Sequence, residues 1–192
     1  MNKKDQEKLI LQKFINVYKE QFNDLESIEI LENSKAKLLF PNYNGENPDC
    51  IVLLNGKYIA IELFELVRNN VETLNLNHSE ENLDIKNAAH LHSIREKNNN
   101  HSFYMMEDLA VVAIERINYK IENKLKNYVN CPIWLVGHSS KPFNCSLLLP
   151  YFEDKIENKV AEYIASKILK DNRIEKIWLL ELFGETLLLE IK

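Results

Sequence analysis

The step Asn55-Gly56, set between the apolar runs Cys50–Leu54 and Tyr58–Phe64, constrains this chain more than any other feature. A two-residue type I′ turn needs positive φ at both central positions, and Asn-Gly tolerates that best. If Leu54 faces Lys57, the register runs outward as Leu53–Tyr58, Val52–Ile59, Ile51–Ala60, Cys50–Ile61 and Asp49–Glu62. Directly opposed residues have Cβ atoms about 4.5–5.5 Å apart, and like charges there are destabilising. Two carboxylates so placed need a compensating charge, and a divalent cation is the natural one.

The second run carries Ile59, Ile61 and Leu63 on one face and Tyr58, Ala60 and Phe64 on the other, which predicts a strand covered on both sides. Glu62 lies inside it. An unpaired buried carboxylate costs several kcal/mol by order of magnitude or takes up a proton. Facing Asp49, it forms an oxygen-ligand site suited to Mg2+ or Mn2+, with the backbone carbonyl of Leu63 as a candidate third ligand. Magnesium takes one or two carboxylates together with waters and phosphate oxygens, so a full protein cage is not required. Such a cation acidifies a bound water and stabilises charge on a phosphodiester under attack.

The rest of the pattern predicts one domain over 1–192. Apolar residues at 3–4 residue steps predict helices over 4–22, Glu107–Tyr128 and 153–170. Ile28–Phe40 reads as a strand ending at a Pro41–Gly45 turn cluster, and Cys131–Gly137 as a buried strand. Ile174–Leu182 and Thr186–Ile191 read as a closing hairpin. Helix, three strands, helix, strand, helix and two strands make an α/β sandwich with a central mixed sheet. The Asn- and His-rich stretch 68–106 reads as a long insertion with a short helix around Asp84–Lys97, functional or disordered.

Composition narrows the classes. No apolar run approaches the roughly 20 residues of a membrane span. The polar start Met1–Glu7 lacks the apolar core of a signal peptide, so a cytoplasmic protein is expected. Three cysteines with no CxxC pair argue against a disulfide framework and a zinc site. A net charge of −5 disfavours a protein that coats itself with nucleic acid, leaving a local basic stripe as the means of contact.

Pro48-Asp49 at the start of one strand and Glu62 on the next resemble the PD-(D/E)XK nuclease superfamily, whose signature continues Glu-x-Lys. That resemblance implies a restriction-endonuclease-like αβββαβ core over roughly 4–137, a central mixed sheet flanked by helices, and a C-terminal helix and hairpin as an addition. It implies a metal-dependent nuclease hydrolysing DNA phosphodiester bonds, with Asp49 and Glu62 holding Mg2+ or Mn2+. The family's lysine position is Phe64 here. Some members of the superfamily are similar in having moved that lysine to a neighbouring element. Arg116, Lys120 and Lys124 recur every four residues on the Glu107–Tyr128 helix, and like charges at that spacing suggest an anionic neighbour. Lys120 is the first choice for the migrated lysine and Lys124 the second. Lys57 lies about five residues along the strand from Glu62, roughly 17 Å away, which is too far. A first-helix acid joins the site in many members of the superfamily, which points to Glu7 or Glu20. Glu65 falls on the opposite face unless the strand bends. The 68–106 segment, with Lys86, Arg95 and Lys97, is placed to close over nucleic acid.

Each of these residues also has a plainer reading. Asp49 after Pro48 fits a turn residue bonding the local backbone. Glu62 fits a strand acid paired with a lysine or arginine, and the basic triplet fits a solvated helix flank balanced by Glu115 and Glu122. His90 and His92, with His78 and His101 nearby, lack the closed spacing of a zinc site and read as surface residues. His138-Ser139-Ser140 has no nucleophile elbow and no placed acid. No phosphate-cradling glycine loop exists among the four glycines. The alternatives are therefore a catalytically inactive binding or structural protein on the same fold, or an unrelated α/β protein whose exposed edge strand from the closing hairpin makes a homodimer or recruits a partner.

Overall fold

The computed structural model describes residues 3–22, 27–44, 48–66, 106–125, 128–139, 156–182 and 188–191. Its elements run α1 (Lys3–Gln21), β1 (Ile28–Ile30), α2 (Asn33–Leu39), β2 (Cys50–Leu54), β3 (Lys57–Glu65), α3 (Met106–Asn123), β4 (Ile133–Ser139), α4 (Ile156–Lys167), β5 (Ile174–Glu181) and β6 (Leu188–Ile191). The six strands form one open mixed sheet in the spatial order of the chain. β1, β2 and β3 are antiparallel neighbours, β3–β4 and β4–β5 are parallel, and β6 closes antiparallel to β5.

The hairpin register follows from its turn. Asn55 has φ of 47° and Gly56 of 80°, the left-handed pair that a type I′ turn requires. Leu54 pairs with Lys57, and the ladder runs out to Cys50 opposite Ile61. Asn55 also ties the turn to the start of β1, its Oδ1 accepting from the Ser27 amide and its own amide donating to the Ser27 carbonyl.

The sheet separates two apolar layers. On one face α1 packs Ile10, Leu11, Phe14, Ile15, Val17 and Tyr18 against Val52, Ile59, Ile61, Trp134, Val136 and Trp178. This layer is aromatic: Phe14 meets Trp134 edge-on at 6.4 Å, and Tyr18 meets Trp178 edge-on at 5.5 Å. On the other face α3 packs Ala113, Ile114 and Ile117 with Ile51, Ala60, Phe64, Leu135 and Leu179. Glu62, two residues from both Ala60 and Phe64, shares this second face by strand alternation.

Two expected boundaries move. The strand expected over Ile28–Phe40 stops at Ile30 and gives way to α2, whose turns are closed by the Ala36 amide on Glu32 and the Phe40 amide on Ala36. Only Ala36 of that helix is buried, and Leu38 is 84% exposed, so the loose alternation there was not a core pattern. The helix expected over Glu107–Tyr128 ends at Asn123, leaving Tyr128 in the connection to β4. Stretch 68–106, apart from Met106, and the closing turn at 183–187 lie outside the described residues.

Phe64 also has a structural reason to be where it is. A Cβ built on Gly137 of β4, its register partner, would lie 2.6 Å from the Phe64 ring and 2.9 Å from Leu179. The ring fills the space that glycine leaves, so position 64 belongs to the apolar layer.

Candidate metal centre

β3 continues past the last ladder pair to Glu62 and Leu63, while Pro48-Asp49 leads into β2 beside them. Asp49 Oδ2 accepts a hydrogen bond from the Leu63 amide at 2.7 Å, extending the hairpin by one side-chain rung. The two acids thus meet at the open end of the β2–β3 pair, in the register set by the Asn55-Gly56 turn.

Lys120 reaches this end from the helix layer. It follows Ile117 by three residues, which turns it toward the sheet at the end of the buried stripe of α3. Its Nζ lies 2.5 Å from Glu62 Oε1 and 2.9 Å from the Leu63 carbonyl oxygen. The side chains are 17% and 2% exposed, so solvent screens the pair little. The other Glu62 oxygen, Oε2, accepts from the buried hydroxyl of Tyr128.

The charges at this end do not balance, since one ammonium faces two carboxylates. Asp49 is pushed up to about 7, first by burial and then by the Glu62 charge; the Leu63 amide and Lys120 pull it down without overcoming these, and Glu7 of α1 adds to the rise. Burial first, and then the Glu62 charge, push the Tyr128 phenol upward, which keeps it a donor. His138 of β4, opposite Glu65 in the register, is pushed down to about 4 by burial first and then by Lys120.

These two shifts act oppositely on stability. Asp49 binds its proton more tightly folded than unfolded, so its contribution falls as pH rises from about 4 to about 7 and stays low above that. His138 binds its proton less tightly folded, so its contribution is intact above its ordinary 6.5 and is lost as pH falls toward about 4. Asp49→Asn removes the first slope and keeps the second. The variant is expected to gain at least about 1 kcal/mol at pH 8, the order of one pKa unit, and nothing at pH 4. Urea unfolding at pH 4, 6 and 8 measures this, and a gain equal at all three would refute the assignment.

The sequence-predicted residues are placed unequally. Asp49, Glu62, the Leu63 carbonyl and Lys120 come together. Lys124 sits in the turn after α3 with an exposed side chain, and it makes no hydrogen bond or ion pair to either carboxylate. Glu65 is exposed on the opposite face, Glu20 is exposed on α1, and Lys57 pairs with Glu175 at 2.7 Å at the start of the strand. The sequence pattern places Tyr128 only in an apolar stripe, and it offers His138 only as a nucleophile partner without an elbow or an acid. The signal for Tyr128 was its being the one hydroxyl-bearing member of that stripe.

Hard oxygens on Asp49, Glu62 and the Leu63 carbonyl form a donor set that fits Mg2+ or Mn2+. The Lys120 ammonium touches two of those three groups, and it stands where their oxygens converge. Among the described residues no set of three His, Cys, Asp or Glu side chains lies close enough to hold a metal ion. Two carboxylates suffice for magnesium. None of the described helices is long and apolar enough to cross a membrane. Comparison with protein-family models, with curated proteins and with solved structures returns no match.

Proposed function

We propose that this chain is a divalent-cation-dependent nuclease on a restriction-endonuclease-like fold, hydrolysing DNA phosphodiester bonds. One observation carries the reading: a lysine from a separate helix lies 2.5 Å from the second acid of a Pro-Asp…Glu hairpin whose own lysine position is filled by Phe64. A mixed sheet between helical layers, with the two acids at one end of its β2–β3 hairpin, is the arrangement the resemblance implies.

Asp49, Glu62 and the Leu63 carbonyl would hold Mg2+ or Mn2+. When bound, the cation supplies an acidified water and stabilises the charge that develops on phosphorus-bound oxygen. Asp49 must shed its proton to serve as a ligand, so cation binding and activity rise with pH, at a midpoint that the competing cation draws below the metal-free value of about 7. Lys120 orients the attacking water or the scissile phosphate, and exposed Lys124, one turn on, meets the flanking backbone as a point charge. Water oxygen bonds to phosphorus and gives up a proton, the ester P–O bond breaks, and the departing oxygen takes up a proton in return. DNA is the expected partner.

The same lysine contact favours a second reading, in which Lys120 permanently satisfies Glu62 and the protein is a nuclease-fold binding protein without chemistry. Plasmid cleavage in Mg2+ or Mn2+ decides between them. The enzyme reading expects metal-dependent nicking that chelation stops and that Glu62→Gln reduces at least about 100-fold. Equal inactivity of wild type and variant with both metals, on duplex and single-stranded DNA, would overturn it.

A further inference from the structure

We infer that Tyr128 is the positioning residue that fixes the Glu62 carboxylate, presenting Oε1 toward the Leu63 carbonyl by holding Oε2. This rests on the metal-centre reading above and adds a residue outside the two acids and the lysine.

The terminal torsion of a glutamate is broad and roughly two-fold, so a carboxylate is not oriented by its own rotamer. Glu62 needs an outside hold, and its two oxygens have separate ones: Lys120 on Oε1 and the Tyr128 hydroxyl on Oε2. Lys120 is the mobile partner of the two, with four carbons of stem and a side chain still 17% exposed. Tyr128 is the rigid one. Its ring is buried in the α3 layer among residues such as Ile117 and Leu125.

The backbone under Tyr128 is held as well. Arg173, in the turn before β5, donates through Nη1 to the Leu125 carbonyl at 2.5 Å and accepts at its own carbonyl from the Ile133 amide at 2.9 Å. It therefore grips the connection on both sides of Tyr128. Asp171 in turn holds the guanidinium through Nε at 3.0 Å and Nη2 at 2.6 Å. A phenol needed only to fill the layer would not require its hydroxyl to end on a carboxylate that faces a second acid. Hydrogen-bond partners that orient a metal ligand contribute about 10–100-fold to metal affinity.

Tyr128→Phe keeps the ring and removes the hydroxyl, and the probe is Mn2+ alone, titrated calorimetrically into the full chain at pH 8. The expected result is a 10–100-fold weaker Mn2+ affinity than wild type. Gly137→Ala serves as the control: it crowds Phe64 and Leu179 in the same layer without touching Glu62, so it lowers Tm and leaves Mn2+ affinity unchanged. Wild-type affinity in Tyr128→Phe overturns the inference, as does an equal loss in Gly137→Ala. If wild type binds Mn2+ and cleaves no DNA while Tyr128→Phe still binds more weakly, the nuclease reading fails and the positioning role stands. If wild type binds no Mn2+, both fall.

Discussion

Replacing Glu62 by alanine is expected to destabilise the protein by about 3–5 kcal/mol, the cost of removing one partner from a buried ion pair. The substitution leaves the Lys120 ammonium, 17% exposed, bonded to the Leu63 carbonyl with Asp49 as the one carboxylate still facing it. It also strands the buried Tyr128 hydroxyl, which adds an unsatisfied donor. For a domain of this size each kcal/mol moves Tm by roughly 2–4 °C, so a fall of about 6–20 °C follows. Glu62→Gln keeps an acceptor and should lose much less. The double variant Glu62→Ala with Lys120→Met should recover most of the loss, because an apolar replacement of a whole buried pair is often close to neutral. A urea double-mutant cycle reads the coupling. A single-variant loss under about 1 kcal/mol would mean that water reaches and screens the pair.

Lys120→Met is the second large effect, and its two readouts move in opposite directions. The ammonium contacts Glu62 Oε1 and the Leu63 carbonyl, two of the three groups assigned to the cation, so removing it vacates the position where their oxygens converge. Mn2+ affinity is expected to rise by an order of magnitude or more, about 1.4 kcal/mol, since buried Glu62 and half-buried Asp49 then lose the lysine charge that competes with the cation. Cleavage is expected to fall by about 100-fold or more with the loss of the group that orients water or phosphate. If the binding-protein reading holds instead, wild type takes up no Mn2+ and Lys120→Met gains a site. Unchanged affinity in the variant would refute the shared position under either reading.

How much of this was legible follows from the range of each signal. The hairpin register was readable because two adjacent residues with positive φ leave one short-range solution, and Glu62 was readable as buried because both its flanks are apolar. The approach of Lys120 followed from helical spacing, since a basic residue three positions after Ile117 ends the stripe on its sheet-facing side. Local pattern failed where tertiary contact decides. Loose alternation over Ile28–Phe40 up to a turn cluster reads as a strand, although Leu38 and Leu39 are both exposed and the Lys-Ala-Lys-Leu-Leu composition of α2 favours helix. Tyr128 was read as stripe because a 3–4 residue spacing persists whether or not the helix does. Lys124 follows the same periodicity, and the turn that ends the helix leaves its side chain exposed and without a bond to either carboxylate. The downward shift on His138 comes first from burial and then from Lys120, which is distant in sequence, and no local pattern carries either.

Both tryptophans of the chain, Trp134 and Trp178, lie in the α1 layer, and the layer that holds Glu62, Lys120 and Tyr128 contains neither. Intrinsic fluorescence is therefore a built-in reporter of one side of the sheet. Emission follows the seating of α1 on its aromatic bed, while far-UV ellipticity follows the whole secondary structure. Comparing the two along a denaturation curve separates detachment of that helix from collapse of the layer that holds Glu62, without adding a label to either.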